Sequence, residues 1–277
     1  MAPRSDFVLR QAFAVALLLR RYAEAADVLA RERALDPAAP RVEAATALLA
    51  GAAGDSAAVA RALRGYRAAG GRWRAGSVPT IAVLRPPFQL LRFADRALGD
   101  TLLAGTPAAF GAQSGDDTLR VDEEQAQLLL IRGDAVHAGA LVARGLPLAR
   151  RLYAAAANPD RRGTLALPLA WFAAARGDGG TARAALDAYS TASDAELRAL
   201  PDGSKSAALT CTRAEVAGLL GDVAGLLPPL RRCLTMPGGF PVAFLRTEPA
   251  FARHRADLRL RALAAELAAP RARGAAR

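Results

Sequence analysis

Cysteine, histidine, lysine and aromatic side chains are all scarce in this chain, and each shortage removes a class of function. Cys211 and Cys233 are the only cysteines, too few for a disulfide scaffold. Beside them stand only His137 and His254, and nothing shows the spacing of a metal site. No metal or other cofactor is expected. No window offers the roughly 18 uninterrupted apolar residues of a membrane span. The apolar run Phe13 to Leu19 is short, Arg10 interrupts its approach and no small-residue cleavage site follows, which argues against a signal peptide. The default expectation is a soluble cytoplasmic protein.

Acidic charge is also in deficit: the formal net charge is +11. Lys205 is the sole lysine, so 36 of the 37 basic residues (37 − 1) are arginine. With abundant Ala, Gly and Pro, that bias reads as codon usage in a G+C-rich genome. Net charge speaks to solubility and non-specific association before it speaks to function.

What is abundant is helix-forming: Ala, Leu and Arg dominate, and no segment alternates apolar and polar residues long enough for a strand. Within "LALPLAWFAAARGDGGTARAALDAYSTAS" (165–193), Leu165, Leu169, Phe172 and Ala173 sit at helical spacing. Ala182, Leu186 and Tyr189 mark a second helix after the Gly177 stop. The tripeptide Arg-Gly-Asp, a familiar adhesion signal, occurs at 132–134 and 176–178. Its spacing gives a different meaning. Gly133, Gly177 and Gly221, each followed by Asp, stand 44 residues apart (177 − 133 and 221 − 177). Gly54-Asp55 and Gly99-Asp100 lie upstream, 45 apart (99 − 54). Glycine adopts the left-handed backbone that closes a helix, and the following Asp caps the free amides of the next. Gly-Asp is therefore read as punctuation between paired helices.

Further signals refine the pattern. Pro228-Pro229 is expected to kink or restart its helix. "NPDRRG" (158–163) and "LPDGSKS" (200–206) read as loops, and Ser193 with Glu196 as a capping box opening a short helix. The acids Asp116, Asp117, Asp122, Glu123 and Glu124 read as helix-start residues favoured by the dipole, not as an acid–base site. His137 is expected at the surface. His254 lies between Arg253 and Arg255. Residues 71–117, with Pro79, Pro86, Pro87 and Pro107, fit worst and suggest irregular helices and a long loop ending in "QSGDD" (113–117).

Tyr22, Ala25, Leu29 and Pro37, within "RRYAEAADVLARERALDP", fall where a tetratricopeptide repeat places its aromatic, small, large apolar and closing proline residues. Ala138 and Ala182 take the small-residue place after their Gly-Asp pairs. In the C-terminal stretch, Leu245, Arg246, Pro249, Phe251, Arg255, Asp257 and Arg259 match a closing pattern, Leu-Arg-x-Asp-Pro-x-Phe given twice. That stretch resembles the end of repeat regions attached to bacterial serine/threonine protein kinases and related signalling proteins. The kinase catalytic motifs themselves are absent.

The fold class expected is all-α, antiparallel helix pairs stacked as a tetratricopeptide-like α-solenoid. Its parts are helix pairs over 1–70, the irregular segment over 71–118, helix pairs over 119–236, and capping helices with a basic tail over 237–277. The resemblance implies a non-catalytic module in bacterial signalling that binds a protein or peptide, such as a kinase or regulator domain. In a curved stack the first helix of each pair lines the concave side, which nominates Arg10, Leu48, Glu123, Gln127, Trp171 and Glu215 for partner binding. Trp171 either anchors a partner or fills the core. The alternative is a helical protein binding nucleic acid or another polyanion through Arg61, Arg64, Arg67, Arg72 and Arg74, interleaved with Tyr66 and Trp73.

Overall fold

A computed structural model describes residues 6–71, 100, 103–108, 112 and 114–268. Among them there is no β-strand. Four helices open the chain: α1 (Asp6–Leu18), α2 (Tyr22–Leu35), α3 (Pro40–Ala53) and α4 (Ser56–Ala68). Next come α5 (Gly115–Ile131), α6 (Ala135–Ala155), α7 (Pro159–Ala175), α8 (Gly179–Ala192) and the short α9 (Asp194–Ala199). Helices α10 (Ser204–Leu220) and α11 (Val223–Thr235) follow, then two 3₁₀ turns (Val242–Arg246 and Pro249–His254) and α12 (Leu258–Ala268).

The Gly-Asp pairs do what their spacing predicts. Gly54, Gly133, Gly177 and Gly221 have φ of 78°, 78°, 79° and 82°. Each donates its N–H three residues back, and the next Asp donates five back, as in Asp178 N–H to the Ala173 carbonyl at 2.9 Å. That pair of bonds satisfies the orphan carbonyls of the finished helix. The carboxylates of Asp55, Asp134, Asp178 and Asp222 then accept from the backbone N–H of Ala58, His137, Thr181 and Gly225. One side chain therefore ends the loop and starts the next helix. Gly99 lies outside the described residues. At the first turn the left-handed position is held by Arg20, φ 60°, instead of glycine.

Each turn brings consecutive helices together: α1 packs on α2, α3 on α4, α5 on α6, α7 on α8, and α10 on α11. Across these pairs α7 also meets α5, α6 and α10. The largest apolar core runs from Leu119 and Ala126 on α5 through Val142, Phe172 and Leu186 to Val216 on α10. A second core gathers Leu226, Leu230, Phe240, Phe244, Phe251 and Leu263, and a third sits among α1, α2 and α3. The 3₁₀ turns tie these regions together, the first against α3 and the second against α10 and α5.

Several local expectations change. Helix α11 runs unbroken through Pro228 and Pro229. Leu226, Leu230, Cys233 and Leu234 are buried on it, so tertiary packing compensates for two missing amide donors. Helix α5 begins at Gly115, inside the stretch read as the end of a long loop, because the Ser114 hydroxyl caps Asp117 N–H. Ser193 precedes α9 as expected but makes no side-chain cap bond. The two cysteines, dismissed as a scaffold, form one disulfide joining α10 to α11. Residues 72–99 lie outside the described residues, including Arg72, Trp73 and Arg74.

Candidate functional site

The closing motif is structural. Glu248 accepts the Ala250 N–H at 3.1 Å, and nine residues on (257 − 248) Asp257 accepts the Arg259 N–H at 2.8 Å. Each acid caps a new turn, and the apolar residue three further along, Phe251 or Leu260, is buried. His254 holds the place that Leu245 holds in the first copy. It is buried, and its Nε2 donates to the Gly218 carbonyl at 3.0 Å. The Arg253 guanidinium donates to the Leu219 carbonyl one residue along. This segment is thereby fastened to the end of α10.

That fastening bears on the residues nominated for a concave binding face. Glu123, Gln127, Trp171 and Glu215 are 1–2% exposed, inside the molecule. Gln127 donates to Glu123 at 3.3 Å along α5. Trp171 meets Phe172 edge to face at 5.2 Å between ring centroids, and of its two readings the core one holds. Leu48 packs partly buried against the N-terminal core, and only Arg10 of the six is exposed. The four buried side chains present almost no surface to a partner. Trp171 sits in the core shared by α5, α6, α7, α8 and α10, an arrangement that the periodicity of one helix does not give. Arg61, Arg64 and Arg67 do lie exposed on α4.

An open cleft of ≈ 400 Å³ lies instead between α5, α6 and residues 103–108. Gln125 and Leu129 line it from α5, and His137, Ala140, Leu141 and Arg144 from α6, with Leu103 and Asp134 completing the wall. The four α6 positions are i, i+3, i+4 and i+7, one helix face. Gln125, itself buried, donates to the Gly105 carbonyl at 2.7 Å and holds the third wall in place.

Two carboxylates orient the cleft's basic groups. Asp134 caps α6 through the His137 N–H at 3.1 Å and accepts from His137 Nδ1 at 2.7 Å. Both bonds hold the Asp134 carboxyl below the usual carboxylate range, the backbone one first. With Nδ1 bonded to Asp134, Nε2 is the imidazole nitrogen left for another partner. Farther along, Arg144 donates to Asp122 from Nε at 3.1 Å and Nη2 at 2.5 Å. Asp122 is fully buried, whereas the Arg144 side chain is 57% exposed. The hydrogen bond to Asp122 holds the guanidinium above its ordinary pKa. A planar fork gripped on one edge presents its other edge outward.

The acids read together as one helix-start group separate in space. Asp116 pairs with Arg161 at 3.1 Å, Asp117 accepts from the Ser114 hydroxyl, and Asp122 turns inward to Arg144. Arg144 escaped sequence reasoning; the only signal was its position ten residues after Asp134 on the same helix. Among the described residues that line the cleft there is no Ser, Thr or Cys. Among the described residues no group of three His, Cys, Asp or Glu could hold a metal, and no helix is long and apolar enough to cross a membrane. Compared with known proteins, the chain matches no family model, no curated protein and no solved structure.

Proposed function

We propose that this chain is a non-catalytic scaffold, a tetratricopeptide-like α-solenoid of antiparallel helix pairs, that holds a protein partner through the α5–α6 cleft. The resemblance of its closing segment to kinase-linked repeat regions supports a role in bacterial signalling. The left-handed position recurs at Arg20 and Gly54, 34 residues apart (54 − 20), which is the tetratricopeptide interval. The observation that carries the reading is the pair of pre-oriented polar groups, His137 on Asp134 and Arg144 on Asp122, flanking Leu103, Leu129 and Leu141. Seven residues of helix separate the two groups by about 10 Å. A peptide fits this chemistry when a large apolar side chain meets the leucines and a neighbouring carboxylate meets the outer edge of Arg144. Holding both groups in advance lowers the ordering cost of binding.

Peptides selected from a display library on the immobilised chain supply the probe. Fluorescence anisotropy then compares the wild type with Ala140→Trp, which fills the cleft from an exposed position. Binding lost in Ala140→Trp and retained at moderate salt supports the proposal. Selected peptides that bind the variant as tightly as the wild type refute it. The alternative draws on Arg61, Arg64 and Arg67, and single-stranded nucleic acid tests it directly. A strand neutralising these three arginines has a log–log salt slope of about −2, and such a slope, abolished by Arg61→Ala/Arg64→Ala, favours the polyanion reading.

A further inference from the structure

The chain's last helix pair is locked to its first by a joint in which the disulfide shares a residue with the lock. Arg20 Nε donates to the Met236 carbonyl at 3.0 Å, and its Nη2 to the Phe240 and Cys233 carbonyls at 2.7 and 3.2 Å. Two of these carbonyls belong to the end of α11, where the helix dipole favours a cation. Gly238 N–H donates to the Leu18 carbonyl at 2.9 Å, bonding the same loop to the end of α1. Arg20 holds φ 60°, a conformation non-glycine residues adopt at a cost; its three acceptors offset that cost.

Cys233 stands at the centre. Its carbonyl accepts from Arg20, its Sγ accepts the Phe240 N–H at 3.4 Å, and its Sγ is bonded to Cys211 on α10. The loop is drawn so close that a Cβ on Gly239 would lie 1.8 Å from the Cys233 carbonyl oxygen. Both cysteines are buried, at 1% and 0% exposure. Two separate thiols need more room than one bonded pair, and a close-packed site has none to spare. The end of α11 carries two of the three acceptors of Arg20, the Cys233 and Met236 carbonyls, so any displacement of that end on reduction would move them.

We propose that the Cys211–Cys233 disulfide is a redox-sensitive latch: oxidised, it holds the joint between the first and last helix pairs shut, and reduced, it releases it. The co-reactant is a dithiol. Its thiolate attacks one bridge sulfur, the Sγ–Sγ bond breaks as a mixed disulfide forms, and the second thiol displaces the remaining protein sulfur. The bridge gains two electrons and two protons, and the reductant leaves as its disulfide. Burial makes opening of the joint a precondition for attack, so joint and bridge are coupled in both directions.

Hydrogen–deuterium exchange on the whole chain tests the coupling, with dithiothreitol as the dithiol. In the reduced protein, and in Cys211→Ser/Cys233→Ser, the Gly238 amide is expected to exchange at least ~10-fold faster, as in Arg20→Ala, since bonds to a charged donor of this kind are worth about that factor. Helices α7 and α8 are expected to keep their protection. Arg20→Ala is also expected to be reduced ~10-fold faster than the wild type, read by alkylation and mass spectrometry. Unchanged Gly238 exchange on reduction overturns the latch. Loss of protection throughout α7 and α8 also overturns it, because the bridge would then be a general staple.

Discussion

Replacing Gly177 by alanine discriminates by sign between a helix-closing glycine and one inside a continuous helix. Gly177 has φ 79°, and a Cβ built there meets nothing within 4 Å. Crowding is absent, and the cost is the left-handed backbone alone, about 1–2 kcal/mol for an L-residue. The alanine chain gives up less entropy on folding, returning about 0.4–1 kcal/mol. A net loss of about 1 kcal/mol follows, or about 2–4 °C in midpoint for a chain this size. Were Gly177 inside a helix, alanine would instead stabilise by about 1 kcal/mol through propensity. Asparagine, which tolerates the left-handed region, should fall between glycine and alanine. Gly54 provides a contrast: φ is 78°, but the added Cβ would lie 2.8 Å from the Ala243 Cβ in the first 3₁₀ turn. Gly54→Ala should therefore lose a further 1 kcal/mol or more from overpacking, in the usual range of about 1–3 kcal/mol. Urea titration followed by far-UV circular dichroism reads all three variants. A Gly177→Ala midpoint equal to or above that of the wild type refutes the reasoning.

Removing Arg144 strands a fully buried carboxylate at Asp122. Because the arginine is itself half exposed, Arg144→Ala should cost about 2–3 kcal/mol, below the full cost of breaking a buried pair; Arg144→Ala/Asp122→Asn should recover part of it in the same urea assay. Asp257, capping α12, has its pKa lowered to about 2, first by the Arg259 side chain and then by the Arg259 backbone N–H. Its folded pKa lies below the unfolded value of about 3.9. The stabilisation is therefore complete above about pH 3.9 and is lost as pH falls towards about 2. Asp257→Asn should flatten that part of the acid limb of stability against pH, and superimposable limbs would remove Asp257 from the account.

Helix hairpins were legible because their signals are local. A cap bond spans three residues, as between Asp178 and Thr181, and a buried helix face repeats every three or four, as at Leu165, Leu169 and Phe172. The cleft was half legible. Asp134 and His137 lie three apart, and the bond between them follows from their spacing on a first turn. The Asp122–Arg144 pair spans 22 residues and the turn between two helices, so it depended on how α5 and α6 face each other. Pro228 and Pro229 misled for the same reason: propensity at those positions is overruled by packing that lies elsewhere in the chain.

By itself the sequence determined where the Gly-Asp turns close one helix and start the next, since backbone conformation and capping depend on neighbours within one or two turns. Tertiary structure decided which polar residues are hidden and which are offered. Glu123, Gln127, Trp171 and Glu215 lie on helices whose positions the repeats announce, yet they are buried. Arg20 meets the carbonyls of Cys233, Met236 and Phe240 across more than 200 residues. Periodicity sets the direction in which a side chain leaves its own helix, whereas burial depends on what arrives opposite it. Here the 3₁₀ turn Pro249–His254 arrives against α10 and α5, and the loop after α11 is bonded to the end of α1.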